Sequence, residues 1–176
     1  MTSDEQRRDA PPRDDDSIDT PVVSSDALHI TPTHVALGSG CAFRVWDLSH
    51  NGPPPLPAAR AAIVATAREV KRSACPPRRD ARRVESDLPH AQAVALTHVA
   101  LADPTVHFIY GAAASHRGVD VRITQLRRLN VGWCVVEVHA SSRLKRAHVG
   151  RIALLRWVLS GAGVDVQRAE VHTLNP

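Results

Sequence analysis

Residues 118–139 of the chain read GVDVRITQLRRLNVGWCVVEVH, and this stretch decides the fold. Apolar and polar side chains alternate from Gly118 to Arg128 and again from Trp133 to His139, which predicts two β-strands. The few residues between the two runs leave room only for a short turn, centred between Asn130 and Val131. The sequence therefore predicts an antiparallel hairpin.

The predicted hairpin brings four polar side chains to one face. With the turn in this place, Thr124 lies opposite Glu137 and Arg122 lies opposite His139. Residues two apart on a strand point to the same face, so these four side chains are predicted to lie together. This face is the candidate site.

The sequence on either side of the hairpin completes an α/β arrangement. Thr105–Tyr110 is rich in β-forming residues and predicts a strand before the hairpin. Lys145–Ser160 has the apolar spacing of a helix closed by Gly161 and Gly163, and Val166–Leu174 predicts a last strand. Because a helix between two strands carries the chain back across a sheet, the last strand is expected beside the earlier ones.

Three helices are predicted before the sheet. Thr31–Trp46 is one, with Thr31 or Thr33 as its cap, and Ala58–Arg72 and Pro89–Leu101 are the others. In the second helix the polar positions are Arg60, Arg68, Lys71 and Arg72. In the third helix the residues predicted to point inward are Ala91, Val94, Ala95, Leu96 and Val99.

Two stretches lie outside these elements. The basic run Arg78–Arg83 predicts an exposed loop. Residues 1–27 are rich in Asp, Arg, Pro and Ser and have little to bury, which predicts a disordered acidic tail. A chain of 176 residues is the size of one domain, so residues 28–176 are predicted to form it.

Charge is unevenly distributed along the chain. Residues 1–30 contain eight acidic residues and three arginines, a net charge of −5, whereas the rest contains 19 basic and 10 acidic residues, a net charge of +9. A basic domain attracts polyanions, so the charge favours DNA or RNA as a partner. The alternative is an ordinary solvated surface in an arginine-biased sequence, because 20 of the 22 basic residues are Arg.

The sequence also predicts a compartment. The first residues lack the apolar run of a signal peptide, and no stretch approaches the roughly 20 apolar residues of a spanning helix. The cysteines, Cys41, Cys75 and Cys134, are odd in number and widely spaced, which is typical of reduced thiols. We expect a cytoplasmic protein with no membrane partner.

Three segments carry a family resemblance. Residues 118–148, from Gly118-Val-Asp-Val-Arg to Lys-Arg-Ala-His148, resemble an uncharacterised bacterial family of the PD-(D/E)XK nuclease superfamily, related to RecB-type and CRISPR-associated exonucleases. The likeness continues through residues 156–175, and the opening element of the family resembles Gly38-Ser-Gly-Cys-Ala-Phe-Arg-Val-Trp46. The resemblance implies a restriction-endonuclease-like core: a mixed sheet with an antiparallel hairpin, a crossover helix and flanking N-terminal helices.

The resemblance also implies a degenerate active site. The family's metal-binding Asp falls on Thr124, and the lysine of its Glu-x-Lys falls on His139, so that only Glu137 remains. The family's helix Asp and Gln, and an upstream Glu, fall on Arg151, Leu155 and Gly111. Because Mg²⁺ affinity rests on carboxylates, these changes predict a protein with impaired catalysis, in which Glu137 is the one residue left to hold Mg²⁺ or Mn²⁺.

Three other features of this region lead to expectations. Glu137 and His139, with His148, offer an alternative site for a transition metal or a general base. No iron–sulfur cluster is expected, because Cys41 lacks the three further thiolates that follow the last strand in cluster-bearing relatives. A basic surface beside the hairpin is predicted to contact nucleic-acid phosphates through Arg122, Arg143, Lys145, Arg146, His148 and Arg151.

Three functions follow from the sequence. The first is a nuclease-fold domain that has lost catalysis and binds nucleic acid or a protein, or is the product of a decaying gene. The second is a metal-dependent nuclease with an altered site. The third is an interaction module without a role on nucleic acid.

Overall fold

The computed structural model describes residues 29–55 and 57–174, and within them the chain forms five helices, a five-stranded mixed sheet and a two-stranded sheet. This confirms the predicted α/β class. The predicted acidic tail, residues 1–27, lies outside the described residues. In chain order the elements are α1 (Pro32–Gly38), α2 (Ala42–Asn51), α3 (Ala58–Ser73), β1 (Ala81–Arg83), α4 (His90–Ala102), β2 (Phe108–Tyr110), β3 (Ala113–His116), β4 (Val119–Arg122), β5 (Gln125–Arg128), β6 (Trp133–His139), α5 (Arg146–Gly161) and β7 (Val166–Thr173).

The hairpin forms in the predicted register. The strand order is β1-β2-β5-β6-β7, and β5 pairs antiparallel with β6, with Gln125 opposite Val136. In the connecting turn Gly132 has a φ of 66°, and a Cβ on it would lie 2.5 Å from the carbonyl oxygen of Asp165. Only glycine suits this position, because it accepts a positive φ and leaves room for the chain entering β7.

One predicted strand is in fact two. Gly118–Arg128 was expected to be continuous, but β4 pairs with β3 in the smaller sheet, whereas β5 pairs with β2 and β6. Arg122 therefore lies opposite Ala113, and the prediction that it faces His139 is wrong. The strand β3, which the sequence reading missed, supplies the partner that draws β4 away.

The change of sheet occurs where two backbone segments bend together. Gly111, with a φ of 71°, donates its N–H to the carbonyl oxygen of Thr124 over 3.2 Å, and Ile123 donates to that of Ala112 over 2.8 Å. These two bonds satisfy the backbone groups at the bend. Alternation in the sequence continues through it, which explains why one strand was predicted.

The segment predicted as an exposed loop, Arg78–Arg83, contains the strand β1. It pairs parallel with β2, with Ala81 opposite Phe108. The guanidinium of Arg78 lies 4.1 Å from the centre of the Phe108 ring, and that of Arg83 lies 5.3 Å from the Tyr110 ring. The prediction is wrong for Ala81–Arg83, which form the strand, whereas Arg78 and Arg79 lie on an exposed loop as predicted. The strand was missed because arginine can cover an aromatic ring with its planar cation and still reach water.

The predicted crossover is confirmed. The helix α5 follows its N-cap residue Lys145 and packs against β6 and β7, and β7 runs parallel to β6 beside it. Leu155, Val158 and Leu159 of α5 are fully buried in the main core. All residues from Trp133 to Val138 are buried, so both faces of β6 are covered.

The other helices differ in how they pack. The predicted helix Thr31–Trp46 is divided into α1 and α2, and Thr31 is the N-cap residue of α1. The helix α3 agrees with its prediction, and α1, α2 and α3 contain no buried residue in the described ranges. None of the described helices has the length and apolar character needed to span a bilayer.

The helix α4 buries a different face from the predicted one. Ala93, Thr97 and Ala100 are buried, whereas Leu96 and Val99 are 42% and 69% exposed. Of the residues predicted to point inward, Val94 packs against the core, and the other four are exposed. The Thr97 hydroxyl accepts a hydrogen bond from the backbone N–H of Ala113 over 2.9 Å. A face of small residues lets the helix approach β3 closely enough for this bond, so the larger side chains point outward.

Candidate functional site

The carboxylate of Glu137 lies at the centre of the candidate site. Its side chain is fully buried on β6. Thr124, which follows the bend between the two sheets, lies opposite it as predicted, and its N–H and hydroxyl donate to Oε1 over 2.9 and 3.0 Å. One carboxylate oxygen is thus satisfied by the residue that stands where the resemblance places a metal-binding Asp.

The second carboxylate oxygen is held by cations. Arg151 of α5 donates from Nε to Oε2 over 2.8 Å, and Lys71 Nζ of α3 lies 3.9 Å from the same oxygen. Arg151 also donates from Nη2 to the carbonyl oxygen of Arg122. Burial acts to raise the pKa of Glu137, but the charges of Arg151 and Lys71, with the hydrogen bonds from Arg151 and Thr124, bring it below its ordinary value. Glu137 is therefore ionised and paired.

This donor set does not fit a Mg²⁺ or Mn²⁺ ion. Both ions prefer several oxygen ligands with carboxylates among them, whereas Glu137 is a single carboxylate and each of its oxygens already accepts a hydrogen bond. The guanidinium of Arg151 occupies the side of Oε2 on which a cation would bind. Among the described residues no three His, Cys, Asp or Glu side chains are grouped as metal ligands.

His139 and His148 form a stacked pair beside this carboxylate. Their ring centres are 3.9 Å apart and the planes differ by 6°. His148 is 9% exposed, and its Nδ1 accepts from the backbone N–H of Lys145 over 3.3 Å. Parallel rings direct their nitrogen lone pairs side by side, so they do not converge on one metal ion.

One nitrogen of this pair is unsatisfied. Within the described chain, Nε2 of His139 is buried without a hydrogen-bond partner. Burial lowers the pKa of His139, and the neighbouring His148, Lys71 and Arg151 lower it further, outweighing the opposite effect of Glu137. The imidazole is neutral near pH 7, and the stack holds it against the start of α5.

A basic cleft opens beside Thr124. It has a volume of about 650 Å³, and one wall comes from α3 while the other comes from β1, β4 and α5. Its acidic lining residue is Glu85, and burial raises the pKa of the Cys75 thiol in its wall, so that thiol is neutral. Its basic lining residues are Arg68, Lys71, Arg72, Arg83, Arg122 and Arg151.

The cations of the basic cleft are held to different degrees. Arg122 donates to the carbonyl oxygens of Glu85 and Leu88, and Arg83 donates to that of Cys75. These neutral partners fix the guanidinium groups without cancelling their charge. Counting the residues that the structure describes, Arg151 and Arg72 are the cleft arginines within ion-pair distance of a carboxylate, so the cleft keeps a positive potential.

The residues predicted to contact phosphates fall into three groups. Arg122 and Arg151 line the basic cleft. Arg143 lies on the exposed loop before α5, and Lys145 and Arg146, also exposed, lie at the start of that helix. His148 is buried in the histidine stack. Four cleft cations were not predicted as ligands: Arg68, Lys71, Arg72 and Arg83.

A signal for three of the missed residues was present in the sequence. Arg68, Lys71 and Arg72 lie on the polar side of the α3 pattern, opposite its apolar stripe. The orientation of α3 toward the hairpin, which places this side over Glu137, is a tertiary property that the pattern does not contain. The other two positions named by the resemblance differ: Leu155 is buried in the core, whereas Gly111 lies at the bend and lines the basic cleft beside Thr124.

Comparison of the chain with protein-family models, with curated proteins and with solved structures found no match.

Proposed function

We propose that this chain is a PD-(D/E)XK nuclease-like domain that has lost catalysis and binds nucleic acid in the basic cleft. The observation that carries the proposal is the Glu137 carboxylate, which is paired with Arg151 at the edge of a cleft lined by six basic side chains. A cytoplasmic location is part of the proposal, since Cys41, Cys75 and Cys134 are free thiols.

The restriction-endonuclease-like core is supported by topology and by position. The β5–β6 hairpin is followed by α5, which crosses over to β7 parallel with β6. Glu137 and Thr124 meet at the end of the hairpin, where the resemblance expects a pair of metal-binding carboxylates. Nuclease activity needs that pair, and one member is a threonine whose hydroxyl donates to the other.

Binding of a polyanion follows from the excess positive charge of a cleft that has too few carboxylates to hold a metal ion. A site built for Mg²⁺ carries carboxylates that repel phosphate unless the metal is bound. Here Arg151 neutralises Glu137, so in the described chain Arg68, Arg83 and Arg122 remain as cleft arginines without a carboxylate at ion-pair distance. Guanidinium groups bind phosphate through two parallel hydrogen bonds, which suits a cleft whose cations are mostly arginine.

The exposed cations Arg143, Lys145 and Arg146 extend this surface in the proposal. They precede Arg151 on the same helix or on the loop before it. A backbone that enters the cleft at Arg151 would pass them within about one to two helical turns. They contribute to affinity through charge, whereas Arg122 and Arg151 define the place of binding.

The test is the salt dependence of binding, measured by fluorescence anisotropy with labelled single-stranded DNA, duplex DNA and single-stranded RNA. Contact with about three or four phosphates gives a slope of about −2 to −3 for log affinity against log salt concentration. Arg68→Gln, which removes a cleft cation, is expected to reduce the slope by about one. Arg156→Gln is the matched control, since Arg156 is an exposed helical arginine outside the cleft lining.

Absence of salt-dependent binding to all three probes would remove the proposal. Equal effects of Arg68→Gln and Arg156→Gln would show that charge acts without a defined site. The oligonucleotides are also incubated with Mg²⁺ or Mn²⁺, and no cleavage is expected. Cleavage that Glu137→Gln abolishes would instead establish an altered, active nuclease.

A gain-of-function variant tests the origin of the site. It combines Thr124→Asp and His139→Lys with Arg151→Asp, because the guanidinium otherwise occupies the position of the metal. Metal-dependent cleavage by this variant, with none by the wild type, supports an intact fold whose chemistry has been replaced. The binding assay above does not depend on this result.

An observation on the N-terminal helices favours a second function, protein interaction. Phe43, Trp46 and Ile63 are 66%, 52% and 67% exposed, and the Phe43 and Trp46 rings stack with centres 5.7 Å apart. Exposed aromatic groups of this kind are typical of contact surfaces. Loss of a co-purified protein partner on Trp46→Ser, with unchanged oligonucleotide binding, would assign a separate role to this surface.

A further inference from the structure

The segment before His29 is complementary in charge to the basic cleft. Residues 1–28 contain eight acidic residues and three arginines, a net charge of −5, and three of the acids are consecutive at Asp14-Asp15-Asp16. The rest of the chain carries a net charge of +9 on 19 basic and 10 acidic residues. The two parts of the chain therefore attract each other over the range of a Debye length, about 8 Å at physiological ionic strength.

The two residues that follow this segment, His29 and Ile30, are fixed to the β4 region. Nδ1 of His29 lies 2.8 Å from Oδ2 of Asp120. Ile30 donates its N–H to the carbonyl oxygen of Gly118 over 2.8 Å, and its own carbonyl oxygen accepts from the N–H of Asp120 over 2.7 Å. Wherever the acidic segment lies, it must start from this point on the strand.

The anchoring point is next to the basic cleft. Asp120 and Arg122 are two residues apart on β4, about 7 Å along the strand and on the same face. The loop before α4 and the first residue of that helix contact these two residues: Arg122 donates to the carbonyl oxygens of Glu85 and Leu88, and His90 Nε2 lies 3.4 Å from Asp120 Oδ1. His29, the first described residue after the acidic segment, therefore lies beside the part of the chain that supplies Glu85 to the cleft wall.

We infer that the acidic segment, residues 1–28, docks in the basic cleft and competes there with nucleic acid. The inference rests on the proposed function for the competition, and on charge and geometry alone for the docking. Carboxylates form the same paired hydrogen bonds with guanidinium groups as phosphates do. Asp14-Asp15-Asp16 offers three successive carboxylates to Arg68, Arg122 and the other cleft cations.

The length of chain is sufficient for this contact. Asp16 is 13 residues before His29, and 13 residues span at most about 45 Å. A tether of this kind gives an effective concentration on the order of millimolar, so that weak individual contacts suffice for occupancy. The competition is strongest at low ionic strength and declines as salt screens both partners.

Cross-linking of the full chain tests the docking directly. The sequence contains only two lysines, Lys71 and Lys145. Lys71 lines the cleft and its side chain is 40% exposed, whereas Lys145 is exposed at the start of α5 and is not part of the cleft lining. A carbodiimide that couples carboxylates directly to amines is therefore expected to join residues 14–19 to Lys71 in the monomer, and the product is mapped by mass spectrometry.

Controls in the same experiment decide the outcome. The cross-link to Lys71 is expected to disappear at about 1 M salt, because the Debye length is then about 3 Å and the attraction is screened. Cross-links shared equally between Lys71 and Lys145, or a Lys71 product confined to a covalent dimer, would overturn intramolecular docking. The wild-type chain is used throughout, so folding of a variant is not in question.

Oligonucleotide affinity tests the competition. We compare the full chain with a variant carrying Asp14→Asn, Asp15→Asn and Asp16→Asn, and with a charge-preserving control carrying Asp14→Glu, Asp15→Glu and Asp16→Glu. The neutralised variant is expected to bind about tenfold more tightly at low salt, and the control to match the wild type. Equal affinity of all three chains overturns the competition.

The two measurements separate the inference from the function on which it rests. A cross-link to Lys71 in a protein that binds no oligonucleotide, even after neutralisation, supports docking and removes the proposed function. Tight oligonucleotide binding without the Lys71 cross-link keeps the proposed function and removes the docking.

Discussion

The molecule has two halves that bury very different fractions of their surface: the sheet with α4 and α5, and the N-terminal helices α1, α2 and α3. From Trp133 to Val138 of β6 every residue is buried, whereas α1, α2 and α3 have no buried residue in the described ranges. Burial of apolar surface is the main source of stability, so the free energy of unfolding resides in the sheet, α4 and α5. The basic cleft lies between one wall from each half, and its α3 wall is the one held by fewer contacts.

Glu137 offers the sharpest test of this difference, because it is approached from both halves. Arg151 of α5 contacts Oε2 at 2.8 Å and Lys71 of α3 lies 3.9 Å from it. Arg151→Ala leaves a buried carboxylate without its partner and is expected to lower the free energy of unfolding by about 3–5 kcal/mol. Lys71→Ala removes a longer, partly exposed contact and is expected to cost less than about 1 kcal/mol.

Urea unfolding followed by circular dichroism measures both values. A double variant, Glu137→Leu with Arg151→Leu, serves as the control, and it is expected to recover most of the loss because no buried charge is left unpaired. Equal costs for Lys71→Ala and Arg151→Ala would mean that α3 is held as firmly as α5.

A pair of apolar substitutions compares the halves without charge. Leu155 of α5 is fully buried and Ile63 of α3 is 67% exposed. Leu155→Ala creates a cavity and is expected to lower the free energy of unfolding by about 3 kcal/mol, whereas Ile63→Ala is expected to change it by less than about 0.5 kcal/mol. A cost above about 1 kcal/mol for Ile63→Ala would contradict the exposed position of α3.

His139 has an unsatisfied buried nitrogen within the tightly packed sheet. The effect of its protonation on the free energy of unfolding is expected to be the smallest of those considered. Its pKa is lowered from 6.5 by burial, so the unfolded chain takes up the proton first. The contribution of His139 to the free energy of unfolding is complete above about pH 6.5 and is lost as the pH falls below that value.

The measurement is the free energy of unfolding between pH 7.5 and about 5, above the range in which the lowered pKa of Glu137 would act. His139→Phe keeps a ring against His148 and removes both the titration and the unsatisfied nitrogen. This variant is expected to lose less stability over the range. An identical pH dependence in both proteins would show that protonation of His139 does not contribute to it.

Sequence periodicity was sufficient for the parts of the fold that depend on local pattern. The strand Trp133–His139, the helix after Lys145 and the pairing of Gln125 with Val136 follow from alternation, helical spacing and one turn. The contact between Thr124 and Glu137 follows from the same register. Local pattern therefore located the centre of the candidate site.

The remainder depends on contacts between distant parts of the chain. Arg122 was misplaced because the bend at Gly111 diverts β4 to a second sheet without breaking the alternation. Four of the five residues predicted to point inward from α4 are exposed, because a hydrogen bond from Ala113 to Thr97 determines the helix orientation, whereas Val94 packs against the core as predicted. The cations of α3 were visible as a polar stripe, but their position over Glu137 required the tertiary structure.

The parallel pairing of β6 with β7 has a consequence for synthesis of the chain. The partner of β6 on one edge, β5, is made before it, whereas the partner on the other edge follows only after α5. During translation the strand from Trp133 to Val138 therefore has one unpaired edge until β7 is made, and an unpaired edge can pair with strands of other chains. Variants that slow formation of α5 are thus expected to lower the soluble yield more than their effect on equilibrium stability would suggest.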